Sequence, residues 1–152
     1  MVKYTLFNYE DKTSVKRFYS FYQNFLLTNF MFEQVGSYQS FIEKLCNNSF
    51  YEAIIAYDEK ELGGVIFEYE KDSNVGFIHY LETNNNDLNQ MLYDFATYKI
   101  NERANDFYSK KPEIVQSTHE IKQSLPTMDI THNNEYFLKK LVIPSINKNI
   151  NK

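Results

Sequence analysis

The stretch from residue 52 to residue 82 constrains the fold most, because it contains three strand-like segments in succession. EAIIAY (52–57), VIFEYE (65–70) and VGFIHYLE (75–82) are rich in β-branched and aromatic residues. The connecting segments DEKELGG and KDSN are short and contain the residue types that favour turns. Since short connections join only antiparallel neighbours, the stretch predicts an antiparallel meander.

The third of these strands has two largely apolar faces. Regular alternation would place its side chains on opposite sides, with Phe77, His79 and Leu81 against Ile78, Tyr80 and Glu82. We therefore expect this strand to lie inside the sheet and to be covered on both sides.

Helices and further strands are predicted around the meander. Residues 2–9 indicate a first strand, and apolar residues at helical spacing then predict one helix after EDKTS and a second in SYQSFIEKLC. A long helix follows the meander, with Asp87 as its predicted N-cap and Pro112 as its latest possible end. EIVQST predicts a strand, QSLPTMDITH is ambiguous, and NNEYFLKKLVI predicts a short helix or strand.

The chain of 152 residues is long enough for one well-filled core. Its 43% hydrophobic and 24% charged residues are typical of a globular protein. We predict a single domain over residues 1–144 and a flexible basic tail over residues 145–152. The fold class is α/β (α+β), with a mixed, mainly antiparallel central sheet flanked by helices.

Charge and cysteine content exclude several classes of function. A net charge of -4 gives no reason to expect a nucleic-acid partner. The single cysteine, Cys46, rules out an intrachain disulfide and a cysteine-based zinc site. The N-terminus lacks the apolar core of a signal peptide, and no apolar run approaches the ~20 residues of a membrane span. We expect a cytoplasmic protein with no membrane partner.

The order of elements resembles the GNAT superfamily of N-acyltransferases. FYEAIIAYDEKELGGVIFEYE resembles the second and third strands of that family, VGFIHYLE its fourth strand, and DLNQMLYDFATYKINERA the helix beneath its cofactor. The resemblance implies a GNAT-like acyltransferase sandwich that moves an acetyl or other acyl group from acyl-CoA to an amine. The acceptor would be a small molecule or a protein.

The resemblance also places the acyl-CoA site. GNAT enzymes carry a Gln/Arg-x-x-Gly-x-Gly/Ala loop after the fourth strand, where this chain reads ETNNNDLNQ, without glycine or arginine. Asparagine is the best substitute for glycine in left-handed backbone conformations. The residues implied in cofactor binding are Tyr80, Leu81, Asn84, Asn85, Asn86 and Asp87.

Two residues of the third meander strand are candidate catalytic groups. Acyl transfer to an amine needs a base, and Glu82 lies where relatives often place one, with His79 three residues earlier. An odd separation puts the two side chains on opposite faces of a regular strand. They would serve one site only if a β-bulge intervened.

The C-terminal region offers fewer candidates. Phe137 matches a Phe-Tyr pair of the family, while Leu138 stands in place of the tyrosine that many relatives use as general acid. His119 and His132 lie near Glu120 and Asp129, but no pair has the spacing of a zinc site. We therefore predict no metal.

A non-catalytic function remains as an alternative. The long helix carries a second apolar set beside its main stripe, made of Tyr93, Ala96, Ile100, Ala104 and Phe107. Such a wide apolar arc is buried on more than one side or awaits a partner. The alternative is a GNAT-like interaction or inhibitor protein, which would come from a phage or a mobile element. Its aromatic-rich interface would bind a host protein or a second copy of the chain.

Overall fold

The computed structural model describes residues 1–119, which form five strands and five α-helices with one π-helical turn. In chain order these elements are β1 (Lys3–Leu6), α1 (Lys12–Phe21), the π-helix (Tyr22–Leu26), α2 (Leu27–Asn29), α3 (Phe32–Val35), α4 (Tyr38–Asn47), β2 (Tyr51–Tyr57), β3 (Glu61–Glu70), β4 (Val75–Thr83), α5 (Asn86–Ala104) and β5 (Glu113–Gln116). The predictions for 123–132, 133–143 and 145–152 lie outside the described residues. So do Glu120, Asp129, His132, Phe137 and Leu138.

The strands form one sheet in the order β1-β2-β3-β4-β5. β1 to β4 pair antiparallel, which confirms the predicted meander, and β5 pairs parallel with β4. A parallel pair needs a crossover, and α5 supplies it. The mixed, mainly antiparallel sheet flanked by helices is therefore confirmed.

Two apolar cores cover the two faces of the sheet. The first, which we call the α1–α4 core, joins Phe18, Phe21 and Phe41 of the helices to Ile55 and Ile66 of the sheet. The second, the α5 core, joins one face of α5 to the opposite side of the same strands. Because neighbouring side chains of β3 point to opposite faces, Ile66 lies in the first core and Phe67 in the second.

The second apolar set of α5 packs mostly inside the protein. Ala96, Ile100 and Ala104 are buried in the α5 core, and Tyr93 packs against it. α5 comes this close to β4 because Gly76 has no side chain, and a Cβ there would overlap the side chain of Ile100. The wide arc is thus explained at these positions by packing within the chain, without a partner.

Candidate functional site

A β-bulge in β4 determines which side chains meet in the candidate site. Ile66 of β3 pairs with Tyr80 and the next residue, Phe67, pairs with Ile78, so His79 is an extra residue on β4. The insertion reverses the alternation of β4 beyond that point. Ile78 lies in the α5 core, whereas Tyr80 lies in the α1–α4 core.

The bulge corrects the predicted faces of β4. Regular alternation put His79 opposite Tyr80 and Glu82, but all three lie on the α1–α4 side of the sheet. His79 contacts Tyr51, Tyr80 lies in the core on that side, and Glu82 bonds to Asn29 at the end of α2. The two candidate catalytic residues therefore share a face.

His79 is held on three sides. Its Nε2 lies 2.9 Å from Oε1 of Glu68 on β3. Its ring stacks with Tyr51 at 5.5 Å between centroids and with Phe77 at 5.9 Å. Since an ionised carboxylate only accepts hydrogen bonds, the neutral imidazole carries its proton on Nε2 and its lone pair on Nδ1.

Glu68 is itself oriented by a neighbouring amide. Nδ2 of Asn48 donates to its second oxygen, Oε2, at 3.2 Å, and Oδ1 of Asn48 accepts from the N–H of Phe50 at 2.9 Å. Both carboxylate oxygens of Glu68 are thus engaged. Burial, with the Glu68 charge as a second cause, raises the pKa of the Tyr51 hydroxyl that lies beside this pair.

Tyr80 and His119 form the next part of the site. Their rings stack at 4.1 Å with planes only 7° apart, and Nε2 of His119 donates to the carbonyl oxygen of His79. The Tyr80 hydroxyl donates to the Gln34 carbonyl at 3.0 Å, and burial raises its pKa.

Glu82 is half-buried beyond the bulge. Burial raises the pKa of its carboxyl group, while the hydrogen bond from Asn29 Nδ2, at 2.8 Å, and the nearby His119 oppose that shift. A carboxylate with a raised pKa, facing the same side as His79, is a suitable proton acceptor at neutral pH.

A cavity of about 310 Å³ opens on this face between α3, α4 and the sheet. Aromatic rings and polar groups line it together, among them Phe41, Lys44, Glu68, His79 and Tyr80. A cavity of this size accommodates a small ligand.

The junction between β4 and α5 is built around Asn85. Its side-chain oxygen accepts from the N–H of Leu88 at 2.9 Å, so Asn85 is the N-cap and the prediction of Asp87 was wrong. Asp87 lies in the first turn of the helix. Either residue type caps a helix well, so the sequence did not separate the two positions.

The asparagines do not act as glycine substitutes. Among the described residues only Asn74 combines a side chain with a positive φ, and Asn85 is extended at φ -158°. The N–H of Asn84 donates to the Leu62 carbonyl and continues the sheet. Within residues 1–119, the N–H groups of Asn86 and Asp87 have no acceptor.

Within residues 1–119, one backbone edge of β4 is open beyond the bulge, because no described strand pairs with it there. Pairing with β5 ends at Ile78 and Gln116, whereas β4 runs on to Thr83. Among the described strands, residues 80–83 thus have β3 as their neighbour on one edge and none on the other. This open edge leads directly to the first turn of α5.

Within the part of the chain that the structure describes, no cluster of His, Cys, Asp and Glu could hold a metal ion. No helix among the same residues is long and apolar enough to cross a bilayer.

Several site residues were not predicted from the sequence. The sequence did not single out Glu68, although the KDSN turn sets its pairing with Phe77, which makes His79 a diagonal neighbour. The hairpin register could therefore have revealed the Glu68–His79 contact. Asn29 and His119 reach the site from distant parts of the chain, and nothing in the local sequence signals that.

No family model and no curated protein matches this sequence. Solved structures do match it. An aminoglycoside acetyltransferase from an uncultured soil metagenomic sample, in complex with sisomicin, is 13% identical, with a TM-score of 0.53 over 99% of this chain and 93% of its own. A ribosomal-protein-alanine N-acetyltransferase from Brucella melitensis biovar Abortus 2308 is also 13% identical, with a TM-score of 0.55 over 100% and 99%.

The chain has a GNAT-like fold. A transcriptional regulator from Bacillus halodurans C-125 matches it nearly as well, at 11% identity and a TM-score of 0.51 over 100% of this chain and 99% of its own. Since these matching proteins are two acetyltransferases and a transcriptional regulator, the GNAT-like fold by itself does not select one function.

Proposed function

We propose that this GNAT-like protein transfers an acyl group from acyl-CoA to an amine. The observation that carries the proposal is the bulge at His79. It brings His79, Tyr80 and Glu82 to one face at the point where β5 leaves β4, and His79 and Tyr80 line the cavity on that face. Two potential bases next to an open strand edge suit a reaction between an amine and a thioester.

The acyl-CoA would lie along the open edge of β4. Its pantetheine arm carries amide groups, which can pair with the backbone of Tyr80 and Leu81 as another strand would. The pyrophosphate would meet the N–H groups of Asn86 and Asp87, where the α5 dipole is positive. In this assignment Asn84 and Asn85 shape the junction through their hydrogen bonds to Leu62 and Leu88.

One feature of the junction weakens phosphate binding. The Asp87 side chain is acidic and lies in the same first turn of α5. A carboxylate there competes with an anionic ligand for the helix dipole. Most of the affinity for acyl-CoA would therefore come from the arm and the acyl group.

A thiol-release assay tests the proposal. The purified protein is incubated with acetyl-CoA or propionyl-CoA and with a monoamine, a polyamine or a peptide with a free N-terminus. We expect CoA release that depends on the amine, and a loss of rate in Glu82→Gln and His79→Gln. Glu70→Gln, which changes an exposed carboxylate on β3, is the matched control. Release that is equal with and without every amine would contradict the proposal.

A second candidate function is a non-catalytic interaction, for which the α5 side of the sheet gives specific support. Leu6 and Tyr98, which are 43% and 65% exposed, line an apolar cavity of about 250 Å³ between β1, β2 and α5. Met91 is also exposed on α5. A protein partner or a second copy could cover this surface. Sedimentation of the wild type and of Tyr98→Ser would then show a complex that the substitution weakens.

A further inference from the structure

We propose that His79 is the group that takes the proton from the incoming amine, and that Glu68, held by Asn48, is the residue that positions it. The inference rests on the proposed acyl transfer and assigns the roles within its site. Glu68 and Asn48 have no part in the acyl-CoA assignment above.

The hydrogen bonds form a chain that ends at one nitrogen. The N–H of Phe50 fixes Asn48, Asn48 fixes Oε2 of Glu68, and Oε1 of Glu68 accepts from Nε2 of His79. Each hydrogen bond restricts the orientation of the next side chain in the series. The Nδ1 atom of His79 remains as the basic nitrogen, with no hydrogen-bond partner among the described residues.

Ring packing fixes the plane of the imidazole. Tyr51 and Phe77 stack on His79 with interplanar angles of 30° and 12°. The His79 side chain still keeps 28% of its surface exposed and lines the cavity. A base must be oriented and must also be reachable, and His79 meets both conditions.

Glu68 also stabilises the product of proton transfer. When Nδ1 takes a proton the imidazole becomes a cation, and the Glu68 carboxylate lies 2.9 Å from its other nitrogen. A carboxylate that holds the tautomer and compensates the positive charge is the usual support for a histidine base. Glu82 has a different environment, because its anchored oxygen accepts from an uncharged amide, Asn29.

In the proposed step, an ammonium acceptor gives one proton to Nδ1 of His79 and becomes a free amine. The amine lone pair forms the C–N bond at the thioester carbonyl, the C–S bond breaks, and its electron pair leaves on sulfur. The CoA thiolate takes the second proton from the new amide nitrogen, and the imidazolium returns its proton to solvent.

The test compares His79→Gln, Glu68→Met and Glu68→Gln with the exposed-site control Glu70→Gln. Glu68→Gln keeps an oxygen that can accept from Nε2, whereas Glu68→Met has similar length and only a weakly accepting sulfur. We expect kcat to fall by about a hundredfold or more in His79→Gln. The fall should be smaller in Glu68→Met, with an unchanged KM for the amine in both. Glu68→Gln should keep more activity than Glu68→Met.

A spectroscopic measurement separates positioning from mere stability. Nitrogen-15 NMR of the histidine side chains should show His79 protonated at Nε2 in the wild type and in Glu68→Gln, and a mixture of tautomers in Glu68→Met. A wild-type His79 protonated at Nδ1 would contradict the inference. So would turnover that survives His79→Gln, and that result would leave acyl transfer itself intact. No turnover with any amine, beside the expected tautomer, would instead refute the proposed function and the role of the base with it.

Discussion

His79 is an extra residue in β4, and its insertion turns Tyr80 and Glu82 to the same face. The sequence identified His79 and Glu82 as candidates, and strand alternation separated them. It could not locate the bulge, because both faces of β4 are largely apolar and the hydrophobic pattern is satisfied by either alternation. The sequence thus named the candidate residues, and the structure adds that they share a face.

The burial of Glu82 predicts how the stability of the protein depends on pH. Burial raises its pKa above the ordinary value of 4.5, so the folded state favours the protonated carboxyl group. The resulting stabilisation is complete below the ordinary pKa and is lost as the pH rises through the raised value. Glu82→Gln keeps an oxygen for the Asn29 amide and cannot ionise. Urea unfolding at a series of pH values should show that the free energy of unfolding of Glu82→Gln increases relative to that of the wild type as the pH rises above 4.5. A constant difference at every pH would contradict the burial of this charge.

The close packing of α5 on Gly76 predicts the effect of a larger side chain at this position. A Cβ at this position would overlap the side chain of Ile100, and no special backbone angle is involved. Gly76→Ala should lower the free energy of unfolding by about 1–3 kcal/mol, the usual cost of overpacking. Ile100→Val removes one of the overlapping groups, so the double variant should recover part of the loss in urea unfolding. Equal stability of Gly76→Ala and wild type would mean that α5 does not lie so close to β4.

At the level of elements, the junction from β4 to α5 shows where local sequence is ambiguous. Asn85 and Asp87 are both good capping residues, and the helix begins after the first of them. The choice depends on contacts beyond the local pattern. The Asn84 N–H continues the sheet to Leu62, and Asn85 N–H bonds to the Thr83 hydroxyl at 3.2 Å. These two hydrogen bonds fix the turn that precedes the first residue of α5.

The cap assignment predicts unequal effects of two similar substitutions. Asn85→Ala removes the acceptor for the Leu88 N–H and should cost about 1 kcal/mol of stability. Asp87→Asn keeps a polar side chain and removes only a charge near the dipole, which is worth about 0.3–1 kcal/mol. Urea unfolding at neutral pH and low salt should rank Asn85→Ala as the less stable variant. The reverse order would restore Asp87 as the cap.

For the whole molecule, the sequence predicted the meander, the long helix and a strand after it, because turn residues separate segments rich in β-formers and the helix has apolar residues at helical spacing. Those elements in that order suffice for the GNAT-like fold, although identity to the matching structures is low. The site was less predictable, since Asn29, Asn48, Glu68 and His119 come from four separate parts of the chain. Such convergence depends on tertiary packing.

Binding of acyl-CoA to this chain tests the proposed acyl transfer most directly. Titration calorimetry with acetyl-CoA should show saturable binding, and S-acetylpantetheine should retain much of that affinity, because the junction carries an acidic Asp87 where the phosphates would lie. Asp87→Asn should strengthen the binding of acetyl-CoA and leave that of S-acetylpantetheine unchanged. A folded protein that binds neither compound would contradict the proposed acyl transfer.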